Sequence, residues 1–161
     1  METRKLTFDK NGYLVPYKMI EVDLATLKFN FVDAFPNSKR RQWLFDNYLR
    51  FLYKFQDNVF TYFEQWIDGS FISQKENPKD IDLVTFLDYS IYEKRGEKVL
   101  NDFWKFSLED QYIDSYIVKE YPKDHPKYSV FLSEKNLWID RYSTTRTDEP
   151  KGFLKLVFRK S

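Results

Sequence analysis

A chain of 161 residues, 42% of them hydrophobic, is long enough to bury a core of its own and suits one domain. Its 26 basic residues nearly balance 25 acidic ones, so a net charge of +1 gives no overall pull toward nucleic acid or a membrane surface. Cysteine is absent and histidine occurs once, which excludes disulfides, thiolate metal centres and a cluster of histidine ligands. That histidine, His125 beside Pro126, reads as an exposed loop residue. No apolar run reaches the length of a membrane span, and Met1 to Lys5 shows no signal-peptide pattern, so a cytoplasmic location is expected. Aromatic residues make up 20% of the chain while Ala25 and Ala34 are its only alanines. Spread along the whole sequence, the rings read as core filling rather than a stacking surface.

Residues 1–36 read as a leader before a core of about 37–161. Asn11-Gly12 marks a turn, and Asp23 is placed to cap a short helix from Leu24. After Pro36-Asn37, Ser38 reads as the N-cap of a helix reaching roughly Gln56, with Leu44, Tyr48, Phe51, Leu52 and Phe55 on one stripe. Lys39, Arg40, Arg41 and Arg50 form a basic cluster near it, read as a solvated face, with phosphate or nucleic-acid contact the alternative. A strand ending at Asp68 is followed by the Gly69-Ser70 turn and a short helix, then a strand over Asp80 to Leu87. A helix is expected from Ser90 to roughly Phe106, with Val99, Leu100, Phe103 and Trp104 apolar. A strand follows through Tyr112 to Val118. A loop at Tyr121 to Pro126 precedes a helix of about Ser133 to Tyr142, with Leu137, Trp138 and Tyr142 toward the core. Gly152 then leads into a last strand, Phe153 to Phe158. The order fits a mixed sheet flanked by helices, an α+β or α/β class.

Two features carry chemistry. Gly69-Ser70 closes an apolar run, and a nine-residue gap separates it from Asp80-Ile81-Asp82. In a strand, residues two apart share a face about 7 Å apart along the chain, so Asp80 and Asp82 project together. Paired carboxylates repel and raise each other's pKa unless a cation lies between them, and hard divalent ions such as magnesium prefer oxygen ligands. A Gly-Ser turn lets backbone amides approach a polyphosphate. The plain reading of each piece is a tight turn and local aspartate hydrogen bonding.

Together, Ile67-Asp68-Gly69-Ser70 and Pro78-Lys79-Asp80-Ile81-Asp82-Leu83-Val84 resemble the signature of the polymerase-beta-type nucleotidyltransferases. The nearest resemblance is to small bacterial nucleotidyltransferase-like proteins that carry an Arg…Pro-Lys-Gly element. Here that element is Arg146 with Pro150-Lys151-Gly152. The resemblance implies that Gly69 and Ser70 hold the triphosphate of a nucleoside triphosphate substrate. It also implies that Asp80 and Asp82 bind two magnesium ions and that a third carboxylate completes the site. Asp114, in a β-branched and aromatic stretch, is the best candidate; Glu109 and Asp110 sit in the preceding turn. Arg146 and Lys151 are candidate phosphate contacts, and Asp68 reads as a turn or supporting residue.

The activity so implied is magnesium-dependent transfer of a nucleoside monophosphate to a hydroxyl on a protein, a small molecule or an RNA end. A toxin–antitoxin or phage-defence pair is one setting that the resemblance suggests. No second domain is visible to grip a large acceptor, which points to a separate protein partner or a homodimer interface. The alternative is a module that keeps the fold without catalysis and binds a protein partner.

Overall fold

A strand that is apolar on both faces belongs inside a sheet covered on both sides. In β5 (Ile81–Asp88), Ile81, Leu83 and Leu87 on one face and Val84 and Phe86 on the other are all buried. The computed structural model, which describes residues 3–105 and 112–159, sets this strand between β4 (Phe63–Asp68) and β6 (Ile113–Glu120). The five-stranded sheet also contains β3 (Met19–Glu21) and β7 (Phe153–Phe158), in the order β3-β7-β4-β5-β6. The pairs β3–β7 and β5–β6 are parallel, while β4 is antiparallel to both β7 and β5. A separate hairpin joins β1 (Thr7–Phe8) to β2 (Leu14–Val15).

Helices cover both faces. Ser38 caps α2 (Lys39–Asn58), its hydroxyl accepting the Arg41 amide. The stripe Leu44, Tyr48, Phe51, Leu52 and Phe55 is buried as the 3.6-residue period requires. This helix packs on the face carrying Gln65 and Thr85. There the Tyr48 hydroxyl donates to Gln65 Oε1 at 2.7 Å and Gln65 Nε2 donates to Thr85 Oγ1 at 3.0 Å. A buried polar chain of this kind is tolerated because each member finds a partner. On the opposite face lies α5 (Tyr128–Tyr142), with Phe131 against Phe86, Trp138 against Tyr116 and Tyr142 against Phe153. The class is α+β with a mixed sheet, as the order of elements suggested. Among the described residues no helix is long and apolar enough to cross a membrane.

Four local expectations are corrected. The segment before Pro36 is more than a leader: β3 is a strand of the main sheet, and Leu14, Leu27 and Phe31 are fully buried. It also holds α1 (Leu24–Lys28), capped by the Asp23 carboxylate on the Thr26 amide at 2.8 Å. The helix expected from Ser90 is two, α3 (Tyr89–Arg95) and α4 (Glu97–Lys105), because Gly96 takes a φ of 81° that ends the first. Its expected end at Phe106 lies outside the described residues. Helix α5 begins five residues earlier than Ser133, at Tyr128, and Lys127 before it gives no side-chain cap to mark the start. Leu137 is 48% exposed rather than turned to the core.

Arg41 departs furthest from expectation. Instead of lying on a solvated face it is wholly buried, its guanidinium donating to the carbonyls of Phe31, Ser70, Phe71, Ser73 and Lys75. Burial lowers its pKa to about 10. Arg41 thereby ties the first turn of α2 to the loop that follows Gly69. Lys39 and Arg50 are exposed, as the solvated reading has it.

Candidate active site

The sheet register places three aspartates in a row. Asp68 is the partner of Asp82 across the antiparallel pair, and Asp82 is the partner of Asp114 across the parallel one. Neighbouring strands are about 4.8 Å apart, so like charges directly opposite one another destabilise the sheet unless something neutralises them. Two devices do so here. At one end of the row, Lys151 Nζ donates to Asp68 Oδ2 at 2.8 Å. At the other, the raised pKa of Asp82, about 7, favours its neutral form beside Asp114.

Asp80, immediately before β5, joins this group. Asp80, Asp82 and Asp114 line one cavity of about 260 Å³ together with Tyr116, Trp138, Arg141, Tyr142 and Arg146. Alternation along β6 explains Tyr116, two residues beyond Asp114 on the same face. The helical period explains Trp138, Arg141 and Tyr142 on α5, spaced as i, i+3 and i+4. None of these four belonged to the expected site. Their signal was present in those two periodicities, but it needs α5 to lie over β6, which the local sequence does not state.

The electrostatics follow from burial and from this crowding. Burial, then the charges of Asp80, Asp114 and Asp68, push Asp82 up to about 7. Asp114 is also raised, first by burial and then by Asp80. Burial lifts Asp68 to about 6 against the pull of Lys151. Tyr116 is raised chiefly by the charge of Asp114, and Tyr142 by burial and the neighbouring aspartates.

Gly69 is fixed by the same row. Its φ of 87° is a left-handed conformation, and a Cβ built there would stand 2.6 Å from Asp82 Oδ2. The glycine of the motif therefore lets the turn pass over the central aspartate. Ser70 opens a short 3-10 turn (Ser70–Ile72), and its carbonyl accepts from Ser73 and Arg41. Ser70 does not line the cavity, and Lys151 is engaged with Asp68, whereas Arg146 stands at the cavity wall. Asp68 is 5% exposed and pairs with Lys151. Glu109 and Asp110 lie outside the described residues. His125 is half-buried rather than exposed, its ring 4.6 Å from those of Tyr89 and Tyr121.

The donor set of Asp80, Asp82 and Asp114 is all oxygen and acidic, which suits a hard divalent cation such as magnesium. Among the described residues no three acidic or histidine side chains are already drawn together as a metal cluster. A proton on Asp82, favoured by its raised pKa, does part of the work that a cation would do.

This arrangement makes stability depend on pH. A folded Asp82 holds its proton up to about pH 7, whereas the unperturbed carboxyl loses it near 3.8. The folded chain thus binds the extra proton between those values, and stability falls as pH rises through that window. In chelator, the protein is expected to melt lower at pH 8 than at pH 5, by on the order of 5 °C, with magnesium recovering the loss at pH 8. Thermal scans check this; a flat profile with no magnesium response would contradict it.

A mixed-sheet α+β protein with a carboxylate-lined pocket is the class that fold and site define. The chain belongs to a family of unknown function (DUF6932), whose profile matches residues 6–157. No curated protein and no solved structure matches the chain.

Proposed function

We propose that this protein is a magnesium-dependent nucleotidyltransferase of the polymerase-beta type. It moves a nucleoside monophosphate from a nucleoside triphosphate to an acceptor hydroxyl and releases pyrophosphate. The observation that carries the reading is the convergence of Asp80, Asp82 and Asp114 on one pocket, with Asp82 and Asp114 in register on adjacent strands. The Gly69 turn passing over Asp82 supports it.

In this reading Asp80, Asp82 and Asp114 hold the magnesium. Bound there, magnesium neutralises the carboxylates and the phosphate charge that builds up during the displacement. Arg141 and Arg146 at the cavity wall offer guanidinium forks to phosphate oxygens. Trp138 and Tyr116, 4.8 Å apart, give an aromatic wall on which a base can stack. The acceptor oxygen bonds to the α-phosphorus, the bond from that phosphorus to the bridging oxygen breaks, and pyrophosphate leaves with the electron pair. Asp114, the less buried of the in-register pair, takes the hydroxyl proton. Lys151 acts through Asp68, holding the loop that carries Arg146 against the end of β4.

The test is transfer of α-labelled nucleotide, with pyrophosphate release, when the protein is incubated with magnesium and candidate protein, RNA and small-molecule acceptors. Label transfer by the wild type that is lost in Asp114→Asn supports the reading. Nucleotide-independent capture of a protein partner, with no transfer to any acceptor, would support the non-catalytic module instead.

A further inference from the structure

Four buried side-chain oxygen atoms have no hydrogen-bond partner among the described residues; one of them, Asp68 Oδ1, belongs to the row of aspartates and another, Tyr142 Oη, lies near it. An unpaired buried hydroxyl is costly, and folded proteins seldom retain one without a use. Tyr142 is 5% exposed, yet it belongs to the wall of the carboxylate cavity. Its ring is fixed edge-on to Trp138 at 5.4 Å and to Phe153 at 5.8 Å, so the hydroxyl has little freedom to seek a partner elsewhere. The other two unpaired atoms are on Thr26, remote in α1, and on Ser115, whose strand position faces away from Asp114.

We propose that Tyr142 is a substrate-binding residue of this pocket, its hydroxyl donating a hydrogen bond to a phosphoryl oxygen of the bound nucleoside triphosphate. The proposal rests on the nucleotidyl-transfer reading above. The chemistry fits: a phenol is a neutral donor, and among carboxylates it supplies what a phosphate oxygen needs without adding negative charge. Arg141 and Arg146 line the same cavity, so the triphosphate meets donors from the end of α5 and from the loop after it. Because the contact is to phosphate, it is blind to the base.

The experiment is calorimetric titration of each of the four nucleoside triphosphates, with magnesium, into wild type and Tyr142→Phe. Ligand-free melting temperatures are measured alongside. The variant is expected to melt no lower than wild type, since the deleted hydroxyl has no partner in the protein. It is expected to bind every triphosphate that the wild type binds about ten-fold more weakly. Wild-type affinity in the variant would overturn the proposal, as would a lower melting temperature with affinity unchanged, which assigns the hydroxyl to the fold. A loss confined to one base where several bind would move the contact off the phosphates and overturn it too. A wild type that binds no triphosphate overturns the nucleotide reading itself, an outcome distinct from the others.

Discussion

Asp82→Asn is expected to raise the melting temperature of the metal-free protein at pH 8 and, if the proposed nucleotidyl transfer holds, to remove that activity. The two effects share one cause. Asp82 is the middle carboxylate of the row, paired with Asp68 on one side and Asp114 on the other. Its charge is therefore the most opposed, by burial and by its neighbours, and its pKa rises to about 7. Asparagine keeps the shape and removes the charge, so the cost of ionising a buried, crowded carboxyl disappears at pH 8. On the reading proposed above, the same change also removes a negative ligand for the cation, and a loss of transfer of about 10³-fold or more is expected. Thermal scans in chelator and a pyrophosphate-release assay read the two halves separately. A variant that melts lower than wild type in chelator would mean that the Asp82 charge stabilises the fold, against this account.

Arg41→Ala is expected to destabilise the fold more than any of the aspartate or tyrosine substitutions, by on the order of 4 kcal/mol. In the wild type one guanidinium serves the five carbonyls of Phe31, Ser70, Phe71, Ser73 and Lys75. Alanine leaves them beside a cavity without that donor. For a chain of this length the loss corresponds to a fall of roughly 10 °C in melting temperature. Arg41→Lys is expected to recover little, since an ammonium cannot reproduce the planar fork that spans carbonyls from two segments. A lysine variant as stable as wild type would show that charge alone, not the fork, holds the loop.

How far the sequence reveals this protein depends on how local the signal is. Asp23 and Ser38 were legible as caps because a cap is decided by one residue and the amides that follow it. The pairing of Asp80 with Asp82 was legible from strand alternation, and both line the same cavity. Gly96 after Lys94-Arg95 carried a helix-stop signal, but the apolar residues on either side hid it. The role of Arg41 was not legible at all: its acceptors lie between positions 31 and 75 and meet only in the folded chain. The same holds for β3, whose Met19 stands opposite Phe153 near the other end of the chain. Tyr116, Trp138, Arg141 and Tyr142 each obey a local period, but only the crossing of α5 over β6 makes them one wall.

The most direct measurement is calorimetric titration of the four nucleoside triphosphates into wild-type protein, with magnesium and with chelator. Saturable binding of at least one triphosphate in magnesium, lost in chelator, is expected. Absence of binding to all four by folded protein, or binding indifferent to magnesium, would contradict it.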